Sequence, residues 1–493
     1  MANIQFAKPY YSVDSSANTV ATEEAWNVYF EPLPQGGFSI RRRPGLTRLT
    51  TSVTGADTGN GMYWSDRMAR LYVVTKGVVY YYTSPTNPPF VVGSIGDNSF
   101  TAVFAEGQLL DLKQILYVAN GGNLHYIDGT TGNVVTPTFD APTPLVTFVT
   151  MMNNRFWCNN TTPDYNQRFY ITDFNPDPLV LANDPTFWQS ATNPWAAAQK
   201  PDALTGMYSG WNEVFLWGTM ACEPWQEDGV NPISPLVGSL MEVGLAAPYS
   251  VQKANNALYA LVTLGDKRAV VTVSSRAPNV ISEPISRKLQ SYAVVSDAVG
   301  MMIFTGGVNM YVLTFPTEGV TWAYDIKTEC WSQWSYWDLA TATNMMFCCK
   351  YSAYAKNWNQ TILQHADGSL FDMSRSVYSD DGVPIHSSIT TGWMDHGTWD
   401  RKRCDQLIIK LKGYLSSPAK VLMYTRSDGQ PEWSQPTVID VQAGVGSVSG
   451  QNEHFCKLNR MGMFRSRQYK FVMTDAADLA LTGMEIDVVR MRN

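Results

Sequence analysis

The sequence predicts an all-β protein with a β-propeller-like core. Three observations predict it: a strand-forming composition, an apolar strand core that recurs along the chain, and hairpin dipeptides beside those cores. Of 493 residues, 45% are apolar and 12% aromatic, including 16 Trp and 25 Tyr, while only 16% are charged. That balance is too apolar for a disordered chain. With 36 Gly and 27 Pro beside abundant Val and Thr, it favours strands and turns over helices.

The recurring cores are Leu71-Tyr-Val-Val, Ile115-Leu-Tyr-Val, Arg155-Phe-Trp-Cys, Val214-Phe-Leu-Trp, Ala257-Leu-Tyr-Ala-Leu-Val, Met301-Met-Ile-Phe and Gln360-Thr-Ile-Leu-Gln. Their starts lie roughly 40 to 60 residues apart, the range of a four-stranded propeller blade. Gly121-Gly122-Asn123, Gly265-Asp266 and Asp367-Gly368 sit where tight hairpins need positive φ angles. Two strand pairs read as outer blade strands: Leu124 to Asp128 with Asn133-Val-Val, and Thr321 to Ile326 with Cys330-Trp-Ser-Gln-Trp. Each places an Asp and a Thr near a turn, where side-chain oxygens can hold the turn backbone. The pattern predicts six or seven blades over residues 41–384, after an N-terminal segment, 1–40. An irregular series of β-sandwiches is the alternative, because the repeats match in pattern and not in residue identity.

Two stretches interrupt the period, 175–203 and 219–247, and are expected as insertions carrying contacts on one face. A short helix is expected at Glu283 to Leu289, with Ser282 as its cap and Pro284 in its first turn. After residue 385 the runs Gln406 to Lys412, Lys420 to Thr425, Gln468 to Met473 and Leu479 to Ile486 predict a C-terminal β-sandwich-like domain, 385–493, with Asp428-Gly429 as a turn.

Net charge is −7, against the basic balance of a protein that grips phosphates. Residues 386–493 carry 14 basic and 11 acidic side chains, so the preceding part holds −10. The N-terminus has no apolar signal region, and no stretch offers the roughly 18 uninterrupted apolar residues of a membrane span, so a soluble protein is expected. Seven Cys without metal-ligand spacing predict free thiols in a reducing cytoplasm. Sequons at Asn159, Asn160 and Asn359 are taken as chance.

A P-loop, a His-Glu-X-X-His zinc motif and a Gly-X-Ser-X-Gly elbow are all missing from the sequence. No catalytic, cofactor or metal residues are therefore assigned. The one crowding of His with carboxylates, Asp395-His396 with Asp400, reads as a solvated strand end. Arg41-Arg42-Arg43 is the one dense arginine run; consecutive strand residues should not converge on one small anion, so it reads as a solvated or subunit-contacting face. Arg460, Arg465 and Arg467 line a basic aromatic segment expected to face another subunit, since Arg is favoured at interfaces. Together with Glu223 and Trp225 from the second interruption, these arginines are the candidate interface residues.

A set of landmarks in order along the chain resembles the tail hub, or nozzle, proteins of short-tailed bacteriophages, also called packaged DNA stabilization proteins. They include Asn27-Val-Tyr, Arg42-Arg43-Pro44-Gly45-Leu46, Gly61-Met-Tyr, Tyr170-Ile-Thr-Asp173, Gln199-Lys-Pro201-Asp202 and Glu223-Pro-Trp225. Gly244 to Ser250, Ile281 to Ser286, Tyr324-Asp325, Arg403-Cys404, Ser427-Asp428-Gly429, Arg460-X-Gly462-X-X-Arg465 and Leu481-Thr-Gly483 follow. The resemblance implies a homohexameric, non-enzymatic ring in the virion tail, assembled in the host cytoplasm below the portal and head-to-tail adaptor. It implies retention of packaged DNA, a share in the exit channel for double-stranded DNA without sequence-specific binding, docking of tail fibres or tailspikes, and a needle or plug at the distal end. The rival readings are a propeller glycan-binding protein or glycosidase, and a trimeric distal receptor-binding protein.

Overall fold

The computed structural model describes residues 2–9, 19–34, 36–51, 53, 58–98, 100–108, 113–139, 143–153, 155–172, 187–188, 195–197, 199–200, 202–227, 233–274, 276–413, 418–441 and 453–491. The chain forms two compact units that interleave in sequence. Residues 48–303 and 349–372 make a propeller unit; residues 1–47, 304–348 and 373–493 make a barrel unit.

In the propeller unit, five antiparallel meanders follow one another. The first runs Gly59–Ser65, Arg70–Thr75, Val78–Tyr82 and Phe90–Ser94. The second is Val103–Gln108, Gln114–Ala119, His125–Asp128 and Val134–Val135. The third is Val149–Met152, Arg155–Asn159, Arg168–Ile171 and Trp195–Ala196. The fourth is Gly206–Gly210, Glu213–Trp217, Cys222–Gln226 and Ser234–Pro235. In the fifth, both Gly244–Leu245 and Gln252–Ala254 pair with Ala257–Leu264, which continues into Lys267–Val273 and Pro278–Val280. A last sheet contains Cys349–Ala355 and Gln360–His365.

The second strand of each sheet explains the repeating apolar cores. Alternate side chains of a strand point to opposite faces, and these strands are covered on both. Tyr72 and Val74 pack with Leu116 and Val118 of the second sheet, while Leu71 and Val73 pack with Ile362 and Leu370 of the last. Tyr117 meets Phe156 and Cys158 of the third sheet, whose Trp157 turns the other way to Leu216 of the fourth. Phe215 and Trp217 then meet Leu258 and Val271 of the fifth. Each apolar seam thus hands over to the next by strand alternation.

Polar clamps join the last sheet to the start of the unit. The wholly buried Gln364 amide accepts the Gly61 N–H at 3.0 Å and donates to the Val74 carbonyl at 2.9 Å. Leu49 N–H donates to the Leu370 carbonyl at 2.9 Å, and the Arg48 guanidinium donates to the Ser369 hydroxyl at 2.8 Å. The segment that precedes the first sheet therefore borders the last one. Turns behave as their residues dictate: Asp128 Oδ1 accepts the Thr130 N–H at 2.7 Å, and Gly265 takes φ of 63° in the two-residue loop closed by Leu264 and Lys267.

The barrel unit is built around two long hairpin systems. Lys402–Lys412 pairs with both Glu453–Asn459 and Ala480–Arg490. Ala419–Ser427 pairs with Thr437–Val441 and Arg467–Met473, and Arg467–Met473 pairs onward with Ser387–Thr391. N-terminal strands complete the circuit: Ala2–Pro9 pairs with both Ala480–Arg490 and Thr19–Trp26, and Thr19–Trp26 pairs with Ser387–Thr391. The strands enclose one core that includes Phe30, Ile40, Leu407, Ile409, Val421, Phe471, Met484 and Ile486. The unit also holds the antiparallel run Val308–Phe315, Val320–Asp325 and Cys330–Asp338, with Trp322, Trp331 and Trp334 fully buried.

Several local expectations change. The strands Cys222–Gln226 and Ser234–Pro235, paired to each other and with the former paired to Glu213–Trp217, lie in the stretch 219–247 expected as an insertion. Pro224 stands opposite Phe215 within it, and a proline inside a strand hides the strand signal. Most of 175–203 lies outside the described residues. The expected helix forms as a 3-10 turn Glu283–Ile285 running into an α-helix Ser286–Ser291, but Ser282 does not cap it: its hydroxyl accepts the Val270 N–H at 2.9 Å. The stretch 1–40 expected as a separate segment lies in the barrel unit with 373–493 and 304–348.

Candidate functional site

The arginine run enters the barrel unit through the strand Phe38–Arg42. Alternation puts Arg42 on the same face as the buried Ile40, and Arg41 on the other. A solvated face is therefore not what the run forms: Arg42 and Arg43 are 8% and 0% exposed.

Arg43 directs all five of its N–H donors to acceptors. Nε donates to Asn27 Oδ1 at 3.0 Å; Nη1 donates to Asp380 Oδ1 at 2.9 Å and the Pro44 carbonyl at 3.1 Å; Nη2 donates to the Ser335 carbonyl at 2.9 Å and to Asp380 Oδ2. The planar fork of a guanidinium matches a carboxylate in this bidentate way, and the ring of Phe347 stacks 4.8 Å beneath it. Asn27, held at φ of 52°, ties the same group together by accepting the Ser335 N–H at 2.7 Å and donating to the His386 carbonyl at 2.9 Å. Asn27 and Arg43 are family landmarks in the sequence, and the structure gives them a shared structural task.

Arg41 lies between Glu31 at 2.6 Å and Asp478 at 2.8 Å. Arg375 reaches the same Glu31 at 2.6 Å, the Tyr29 hydroxyl at 2.7 Å and the Gly306 carbonyl at 2.6 Å. Burial alone would raise the Glu31 carboxyl, but the two guanidiniums outweigh it and hold it below the usual range. Burial pushes the Tyr29 hydroxyl up to about 12. Arg42 donates only to backbone carbonyls, those of Asp475 and Tyr378, and burial brings it down to about 10, still protonated at neutral pH. Tyr29, Arg41, Arg42, Pro44, Arg375 and Asp478 are among the residues lining a cavity of about 290 Å³. Arg41 and Arg42 thus both border this space, although consecutive strand side chains leave on opposite faces.

In the propeller unit, Glu223 and Trp225 are 4% and 5% exposed. Glu223 Oε1 accepts the N–H groups of Gln199 at 2.9 Å and Lys200 at 3.3 Å, and Trp225 packs edge-on against Phe169. Asp202 likewise accepts the Thr219 hydroxyl and the Met220 N–H, both at 2.6 Å; burial would raise its pKa, and these donors lower it. The landmark carboxylates of this stretch fasten loops to strands.

Arg467 shares the core face of its strand with Tyr469 and Phe471, donates to Ser427 and the Met461 carbonyl, and lies 4.1 Å from the Phe464 ring centroid. It does not face outward as expected. Arg460 and Arg465 are exposed. His396 is half-buried at φ of 51°, and burial with the adjacent Lys402 brings it down to about 4. Asn159 and Asn160 are buried, with their amides bonded to Thr147 and Tyr170, which leaves no room for a glycan. Among the described residues no group of three His, Cys, Asp or Glu is arranged to hold a metal. Among the described residues, no helix is long and apolar enough to cross a membrane.

An all-β chain of successive antiparallel meanders, with the buried Arg43, Glu223 and Asp202 engaged in loop and sheet clamps, defines a β-propeller protein. The sequence matches the family described as bacteriophage P22 Gp10, beta-propeller, over residues 24–363, and the chain belongs to that family of phage packaged-DNA stabilization proteins. No curated protein matches it. Among solved structures it is similar to the extracellular domain of the one-component system BT4673 from B. thetaiotaomicron, at 11% identity and a TM-score of 0.43, covering 86% of this chain and 60% of that one. The Dos1 propeller matches at 11% identity and a TM-score of 0.37, covering 72% and 82%. An exo-beta-1,3-galactanase from Phanerochaete chrysosporium matches at 12% and 0.29, covering 78% and 95%.

Proposed function

We propose that the chain is a non-enzymatic subunit of a homohexameric tail hub that attaches below the portal and adaptor of a short-tailed phage. It retains packaged DNA, contributes to the exit channel, and docks fibres or spikes on its flank. The observation that carries this reading is the family match over residues 24–363. Charge supports it: the part of the chain before residue 386 holds −10, and an acidic wall repels phosphates, so DNA slides past it without being gripped. Arg460 and Arg465 are the exposed members of the expected interface set and are assigned to contacts between subunits.

The test is native mass spectrometry of the purified chain and imaging of the assembled particle. Six chains of 54.9 kDa give a ring of about 330 kDa, seated at the portal vertex. A trimer at the distal tip, or a monomer that cleaves members of a glycan panel, would overturn the reading.

A further inference from the structure

We propose that the cavity bordered by Arg42, Arg41 and Arg375 in the barrel unit is a binding site for a single carboxylate group. Arg42 is 8% exposed, its Nε has no hydrogen-bond partner, and its guanidinium reaches only two backbone carbonyls. A buried guanidinium without a carboxylate in contact is costly, because desolvation is not offset by a charge at hydrogen-bond distance. The neighbouring acids are already engaged. Glu31 is shared by Arg41 and Arg375, Asp478 is held by Arg41, Asp380 is held by Arg43, and Asp475 turns its Oδ2 to the Lys420 N–H at 2.7 Å. Arg375, at 35% side-chain exposure against 20% for Arg41, is the most exposed of the three arginines.

The size of the cavity, about 290 Å³, suits a short acid side chain with a few waters, each of which takes about 30 Å³. A phosphodiester fits less well. A nucleic-acid strand repeats its charge about every 3.4 Å, so its neighbouring phosphates would be brought against Glu31 and Asp478. A lone carboxylate brings no such neighbours. It arrives either on an Asp or Glu of another protein chain or as a free small acid, and this site goes beyond the hub reading and does not depend on it.

Thermal unfolding of the full chain is followed in glutarate, with inorganic phosphate and sodium chloride at matched ionic strength as controls. A saturable rise in midpoint with glutarate, absent in chloride, weaker in phosphate, and reduced at least tenfold in apparent affinity by Arg42→Gln, is expected. Arg375→Gln, at the more exposed position, serves if the Arg42 variant does not fold. Equal rises in all three salts, or an unchanged response in the variant that folds, would overturn the site. Phenylglyoxal footprinting of Arg375 separates the sources. Protection in the assembled particle, reversed by glutarate, identifies a partner's side chain; protection by glutarate alone identifies a free acid; protection by neither rejects the proposal.

Discussion

Replacing Arg43 by Met removes the five-donor clamp while leaving a side chain of similar length over Phe347. The Asp380 carboxylate, 2% exposed, then stands buried without its cation, and the Ser335 and Pro44 carbonyls each lose a donor. Breaking a buried ion pair from one side costs about 3 to 5 kcal/mol. For a unit of the barrel's size, a loss of that magnitude lowers the melting midpoint by about 6 to 20 °C. Differential scanning calorimetry reads it, with the barrel transition assigned by hydrogen exchange at Ser335, whose N–H is held by Asn27. The double variant Arg43→Met with Asp380→Leu removes both charges and should recover about 2 kcal/mol relative to the sum of the singles. Arg43→Lys supplies three donors and should fall between. A loss under about 1 kcal/mol for Arg43→Met, or strict additivity in the double variant, would refute the argument that an uncompensated charge is the cause.

Two further outcomes follow from the same physics. His396 titrates at about 4 in the fold and about 6.5 unfolded, so the unfolded chain binds its proton first; stability is complete above pH 6.5 and falls by about 3 kcal/mol as pH drops to 4. His396→Gln should flatten that slope in urea melts, and an unchanged slope would refute the assignment. Gln364→Leu orphans the Gly61 N–H and the Val74 carbonyl, at about 1 to 3 kcal/mol each, and should raise proteolytic cutting around residues 349–372 in limited digestion; wild-type resistance would contradict the clamp.

The strands easiest to read in the sequence are those covered on both faces. Leu71 to Val74, Ile115 to Val118 and Val214 to Trp217 are unbroken apolar runs because each successive side chain enters one of two seams. Six of the seven recurring cores fall in second strands; Met301 to Phe304 falls in the strand Val299–Thr305, which opens its run. Outer strands are harder: Cys222–Gln226 carries Glu223 and Pro224, and reads as loop until Glu223 is seen to hold Gln199 and Lys200. The arginines were visible as residues but not as to their direction. Arg43 meets Asp380 and Arg41 meets Asp478 across 337 and 437 positions, and no local pattern encodes contacts at that range. Ordered landmarks were the available signal, and Asn27, Arg43, Asp202 and Glu223 proved to be clamps.

The bond from Leu49 to Leu370 has a consequence for how the protein is made. The first sheet of the propeller unit leaves the ribosome 300 residues before its partner in the last sheet does. At about 5 to 20 residues per second, that interval lasts roughly 15 to 60 s. Throughout it, Leu71, Val73 and Tyr82 have no Ile362 or Leu370 to cover them. Nascent chains therefore carry an uncovered apolar flank for most of their synthesis, and crowded polysomes in an infected cell hold such flanks close together. Slow codons near residue 370 would lengthen the exposure, and general chaperones that bind apolar strands would shield it.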